Sequence, residues 1–139
     1  MFTVNSAAIA FLLPLIFALT VAAEEFVEKR YEAGVDEDGV QRVEIEAGEY
    51  YYDPNFIVVK VGVPVELSIR DVGGIASHDI AIEAPEAGID FSEDFGSEPV
   101  TIRFTPTRVG EYQFECTKRF LFFRSHKDRG MHGTIKVVE

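Results

Sequence analysis

Cysteine, histidine and methionine are scarce in this chain. It has one Cys, three His and two Met among 139 residues. A single thiol rules out an intramolecular disulfide, so no covalent staple holds the fold. Positive charge is also short, with 13 Lys and Arg against 24 Asp and Glu, a net charge of −11. That balance argues against nucleic acid as a partner. It favours solubility and steering towards basic surfaces. Residues Met1 to Ala23 carry no charge of either sign.

Within that uncharged segment, Ala7 to Ala23 is almost continuously apolar, interrupted by Pro14 and Thr20. Val21-Ala22-Ala23 ahead of Glu24-Glu25 has the small residues of a signal-peptidase site. The pattern predicts a secretory signal peptide at 1–23, cleaved after Ala23. The usual Lys or Arg at its start is missing, and the run nearly reaches spanning length. The alternative is therefore an uncleaved anchor that tethers the chain to a membrane. Both readings place the rest of the protein outside the cytoplasm, periplasmic, secreted or membrane-anchored.

No long helical pattern follows. Residues 24–39 are charged and weakly patterned and read as an irregular arm ending at the Asp36-Glu-Asp-Gly39 turn. From 40 to 139 the apolar residues recur with period two, the mark of half-buried strands. Val43, Ile45 and Ala47 alternate with charge, and so do Val65, Leu67 and Ile69. His78, Ile80 and Ile82 share a face; so do Val100, Ile102 and Phe104, and then Tyr112, Phe114 and Cys116. Tyr50 to Asn55 reads as a loop, and Ala84 to Glu98 as a long acidic connection with at most one short helix. Seven or so strands with turns between them predict one all-β domain, an antiparallel Greek-key β-sandwich or barrel.

The scarce residues fall together in this scheme. Cys116, His126 and Met131 lie in one closing segment, and His78 lies far upstream. A thiolate, two imidazoles and a thioether are the donors of a mononuclear copper site. Zinc is the competitor, but it prefers four strong donors, and a thioether is a weak one. Strand parity aims Cys116 and Met131 inward with Phe114 and Ile135, and aims His132 outward. Parity and spacing thus favour His126 over His132 as the second imidazole. Taken singly, a His on an apolar face, a buried Cys or a core Met is ordinarily packing. Such a thiol outside the cytoplasm is exposed to oxidation unless a metal occupies it.

Three stretches resemble the cupredoxins, the small blue copper proteins. Asn55 to Ile69 looks like that family's early strand pair, and Ser77-His78-Asp79 like its first histidine ligand. Phe104 to Cys116 resembles the approach to the ligand cysteine, and His126 to Val137 the second histidine, the axial methionine and the closing strand. The match spans roughly Tyr52 to Val138. The resemblance implies a metal site of His78, Cys116, His126 and Met131 holding one copper per chain, cycling between Cu(I) and Cu(II). It implies a one-electron carrier rather than an enzyme, and no acid–base or nucleophile pair stands out. The alternatives are a copper-binding or delivery protein and a copper enzyme with an open coordination position. Asp90, Glu93 and Asp94 read as solvated surface.

The chain departs from the family between Cys116 and His126. Nine residues, Thr117 to Ser125, stand where familiar members have only a few. The family's dinuclear variant needs a second Cys in this loop, and none is present. Lys118, Arg119, Arg124, Lys127 and Arg129 gather in the loop or just after it, around Phe120, Leu121, Phe122 and Phe123. The aromatics either fold back to shield the metal or form an apolar docking patch for an acidic redox partner. Clustered positive charge near the metal is expected to favour Cu(I).

Overall fold

Period-two alternation becomes ten strands in the computed structural model, which describes residues 25–139. The signal or anchor at Met1–Ala23 lies outside the described residues. The strands are β1 (Arg30–Glu32), β2 (Gln41–Gly48), β3 (Tyr51–Asp53), β4 (Phe56–Lys60) and β5 (Val65–Asp71). They continue as β6 (His78–Ala84), β7 (Ile89–Phe95), β8 (Val100–Phe104), β9 (Gly110–Glu115) and β10 (His132–Val138). Six form one sheet in the order β1-β4-β10-β9-β6-β7, and four form the other in the order β3-β2-β5-β8. Among the described residues no helix is long and apolar enough to cross a membrane.

The all-β sandwich expected from the sequence is present, but its sheets are mixed. β1 with β4, β4 with β10, and β2 with β5 run parallel. Parallel neighbours need a crossover rather than a hairpin, and here β2 reaches β5 by way of β3 and β4. Three local expectations change. The acidic stretch after Ala84 holds β7, paired antiparallel along the whole of β6. Tyr51–Asp53 is a short strand rather than loop, and the 24–39 arm carries β1. β7 and β1 are edge strands, so partners on one side alone define them, and their exposed faces stay charged.

The core fills from both inner faces. Val43, Ile45, Leu67 and Ile69 come from one sheet; Ile57, Ile80, Phe114 and Ile135 come from the other. Full burial of each such side chain stabilises by about 1.5–3 kcal/mol. Two buried polar groups tie the layers together. At one end, Gln41 donates to the carbonyls of Lys60 and Val63 and accepts from the Lys60 amide. At the other, the Tyr52 hydroxyl donates to the Asp79 carbonyl at 2.5 Å, and its ring meets Phe114 edge-on.

Gly133 of β10 pairs directly opposite Phe114 of β9. A Cβ there would stand 2.3 Å from Phe114 Cζ and 2.5 Å from the Asn55 carbonyl oxygen. That oxygen cannot move away, because it accepts the Thr134 amide at 2.8 Å. Gly133→Ala is therefore expected to cost about 1–3 kcal/mol, as overpacking of a filled site does. Urea unfolding of the variant beside the parent measures it.

Candidate metal centre

Four residues arrive at one end of the sandwich from separate elements. His78 opens β6, Cys116 follows the last residue of β9, and Met131 immediately precedes β10. His126 stands before a short 3-10 turn at Lys127–Arg129. Gly130, at φ 108°, then turns the chain back, a conformation that a Cβ disfavours. All four side chains are buried.

The donor atoms converge. Nδ1 of His78 and Nδ1 of His126 are 3.2 Å apart, and Cys116 Sγ lies 4.0 Å and 3.5 Å from them. One ligand atom from each lies within 4.8 Å of the others. The point equidistant from all three (the circumcentre of a 3.2, 3.5 and 4.0 Å triangle) is about 2.1 Å away, the length of a metal–imidazole bond and a little under a metal–thiolate bond. Both imidazoles therefore present the same nitrogen to one point that the sulfur also faces. The opposite nitrogen of His78, Nε2, is buried without a partner among the described residues. With Nδ1 turned to a metal, Nε2 carries the ring proton.

Hydrogen bonds hold these segments to one another. The Cys116 amide donates to the Met131 carbonyl, and the Met131 amide to the His126 carbonyl, each at 3.0 Å. The His126 amide closes the ring on the Lys118 carbonyl at 3.0 Å. The buried Asp79 joins His78 to Cys116. Its carboxylate accepts the Thr117 amide at 2.7 Å and the Thr117 hydroxyl. Sequence parity missed Asp79, because a residue alternating with His78 and Ile80 should face water. The available signal was its place directly after a candidate ligand.

Burial sets the protonation states. It pushes the Cys116 thiol up to about 11, so without metal the sulfur holds its proton. It lowers both histidines, His78 further by the facing His126, and His126 by the Arg129 guanidinium. The folded protein thus resists protonating its imidazoles, while the unfolded chain takes up protons as pH falls through about 6.5. The part of the metal-free protein's stability that these two histidines contribute is therefore full above pH 6.5 and declines as pH falls below it. Urea midpoints at pH 7.5 and 5.5 check this; equal midpoints would contradict it.

The loop from Thr117 to Ser125 does not fold over the cluster. Phe120, Leu121, Phe122 and Phe123 are all exposed, Phe122 at 87%. Lys118 pairs with Asp94 at 2.5 Å, and Lys127 pairs with Glu115. Arg119 and Arg124 make no ion pair among the described residues, and Arg124 donates only to the Asp128 carbonyl. Phe120, Phe123, Arg124, Arg129, Tyr50 and His126 line a groove of about 460 Å³. The His126 ring thus has one nitrogen at the donor cluster and a wall in a surface groove. Asp90, Glu93 and Asp94 are exposed on β7, and His132 faces outward, stacked on Phe26.

No family model and no curated protein matches this chain. Solved structures do. The metal-binding domain of the Cu(I)-exporting P-type ATPase CopA of Streptococcus pneumoniae D39, with Cu(I), is 26% identical over 81% of this chain and 99% of that one, at a TM-score of 0.60. Auracyanin A, a "blue" copper protein from Chloroflexus aurantiacus, is 19% identical over 72% and 100%, at 0.54. The fold is cupredoxin-like. A copper-containing nitrite reductase of Thermus scotoductus SA-01 shares it at 20% identity and 0.52, over 79% of this chain and 28% of that one. The cupredoxin-like sandwich therefore hosts an enzyme as well, and function has to be argued from the site.

The donor chemistry of this cupredoxin-like domain selects among metals. Two imidazoles and a thiolate beside a buried thioether fit copper in both oxidation states. Zinc would find three strong donors and only a weak fourth.

Proposed function

We propose that this protein is an extracytoplasmic one-electron carrier with one copper ion per chain. His78, Cys116 and His126 would hold the metal, and the buried Met131 thioether beside them would supply a weak fourth donor that tunes its potential. When bound, the ion supplies Cu(I)/Cu(II) exchange. The observation that carries the reading is the convergence of three buried donors whose segments are hydrogen-bonded to one another.

The chain's own residues do the rest. A cage fixed by the amides of Cys116, His126 and Met131 changes little when the charge at its centre changes, so reorganisation stays small. Burial of all four side chains excludes water. The His126 ring joins the donor cluster to the surface groove. The apolar N-terminal segment supports a location outside the cytoplasm.

Copper holding or delivery is a second reading with its own support, since the 26%-identical neighbour is the metal-binding domain of a Cu(I) exporter. Voltammetry with metal analysis separates the two. A carrier gives a reversible one-electron wave and keeps its copper through repeated cycles and against a Cu(I) chelator. A delivery protein surrenders Cu(I) to the chelator and loses the wave.

A further inference from the structure

We propose that the Phe120–Phe123 turn docks the metal end of the domain onto an anionic lipid bilayer. The inference does not depend on which metal the site holds.

The shape of the turn is the first argument. The Phe123 amide donates to the Phe120 carbonyl at 3.0 Å, and Leu121 takes φ 50°, uncommon for a residue with a Cβ. Four consecutive large apolar residues thereby sit on one tight turn, where the Phe123 ring stacks on both Phe120 and Phe122, with centroids 5.9 Å and 5.0 Å apart. Their exposures are 67%, 68%, 87% and 49%. An exposed apolar cluster flanked by Arg is what a bilayer interface accepts.

Charge is the second argument. The chain as a whole is repelled by an anionic surface at a net charge of −11. Arg119 and Arg124 stand immediately on either side of the four apolar residues; among the described residues neither makes a close ion pair, and the one carboxylate that feels both is Asp128. Each basic residue close to an anionic leaflet adds attraction of its own.

The route of the chain is the third. Asn55 holds the arm through the Lys29 amide and the Val27 carbonyl, and Phe26 stacks on His132 with ring centroids 4.5 Å apart. His132 adjoins Met131, so the arm enters at the metal end. The uncharged residues Met1 to Ala23 precede it in sequence. A tether retained there would bring the same end of the molecule to the membrane as the turn does.

The chain has no tryptophan, so Phe122→Trp introduces a sole reporter at the turn. Val109→Trp, just before β9 and at the opposite end from Cys116, is the control. Full-length, metal-free protein is mixed with vesicles of phosphatidylcholine and phosphatidylglycerol, with and without brominated acyl chains. The emission of Phe122→Trp is expected to shift to the blue and to be quenched by the brominated lipid, while that of Val109→Trp is unaffected. Arg119→Gln with Arg124→Gln should weaken the docking read by that quenching about 30-fold, two basic residues' worth of surface attraction. Vesicles of phosphatidylcholine alone should quench the turn's indole far less. A chain that floats with vesicles while that indole stays water-exposed overturns the proposal, leaving a tether alone and the turn free for an acidic redox protein. Equal quenching with and without phosphatidylglycerol overturns it as well.

Discussion

Copper-loaded protein with Cys116 replaced by serine lacks the intense visible thiolate-to-metal band of the parent. The charge-transfer donor is the sulfur itself, and the Ser hydroxyl is too weak an acid to replace a thiolate. Serine is close in size to cysteine, so the buried position stays filled and the fold persists. Copper affinity falls by more than about 100-fold, since even the outer partners of a metal ligand are worth about 10–100-fold. His126→Ala should also abolish the parent band, because Nδ1 of that ring is one of the three converging donors. His132→Ala should leave it intact, because His132 faces away and stacks on Phe26. Absorption spectra and competition with a chelator of known affinity read all three variants. Loading the parent at neutral pH should also release one proton per chain, because burial keeps the free Cys116 thiol protonated up to about 11. A band that survives loss of His126 and vanishes with His132 would exchange the two histidines' roles.

Asp79→Ala should lower stability by about 2–4 kcal/mol, the cost of removing a charged acceptor from two donors. The Thr117 amide and hydroxyl both give their protons to this carboxylate, and Thr117 follows Cys116 directly. Without it, the Cys116 end of the loop loses its link to the His78 strand. The copper band should broaden and shift although every ligand remains. Asp79→Asn keeps an oxygen for the amide and adds an NH₂ from which the hydroxyl can accept. It should cost less than about 1 kcal/mol and restore the parent spectrum. The same change removes a negative charge near the metal and should raise the reduction potential, since Cu(II) loses more attraction than Cu(I). Spectra, voltammetry and urea unfolding measured on both variants separate positioning from charge. A parent-like spectrum in Asp79→Ala would dismiss the positioning role.

Parts of this molecule can be read from residues alone because the physics behind them is local. Alternation at Val43, Ile45 and Ala47, and again at Val65, Leu67 and Ile69, puts every other side chain on one face whatever the partner strand. The same parity aimed Cys116 and Met131 inward and His132 outward, and the structure has them so. β7 was hidden because Ile89-Asp-Phe-Ser-Glu-Asp-Phe95 is acidic and lies at a sheet edge. Only its pairing with β6 makes it a strand. Asp79 was hidden for a related reason. Parity says which way a residue points, but not whether a loop from elsewhere will cover it.

Residue type and spacing by themselves determined the all-β class and a donor set of two imidazoles, a thiolate and a thioether suited to copper. The tertiary structure decided what depends on distance between remote segments. It brings Nδ1 of His78 to 3.2 Å from Nδ1 of His126, 48 residues on. It ties His78 to Cys116 through a buried carboxylate, and it turns Phe120 to Phe123 out to solvent rather than over the donor cluster. Whether nine loop residues fold inward or outward depends on the room left by the rest of the domain, which local pattern does not encode.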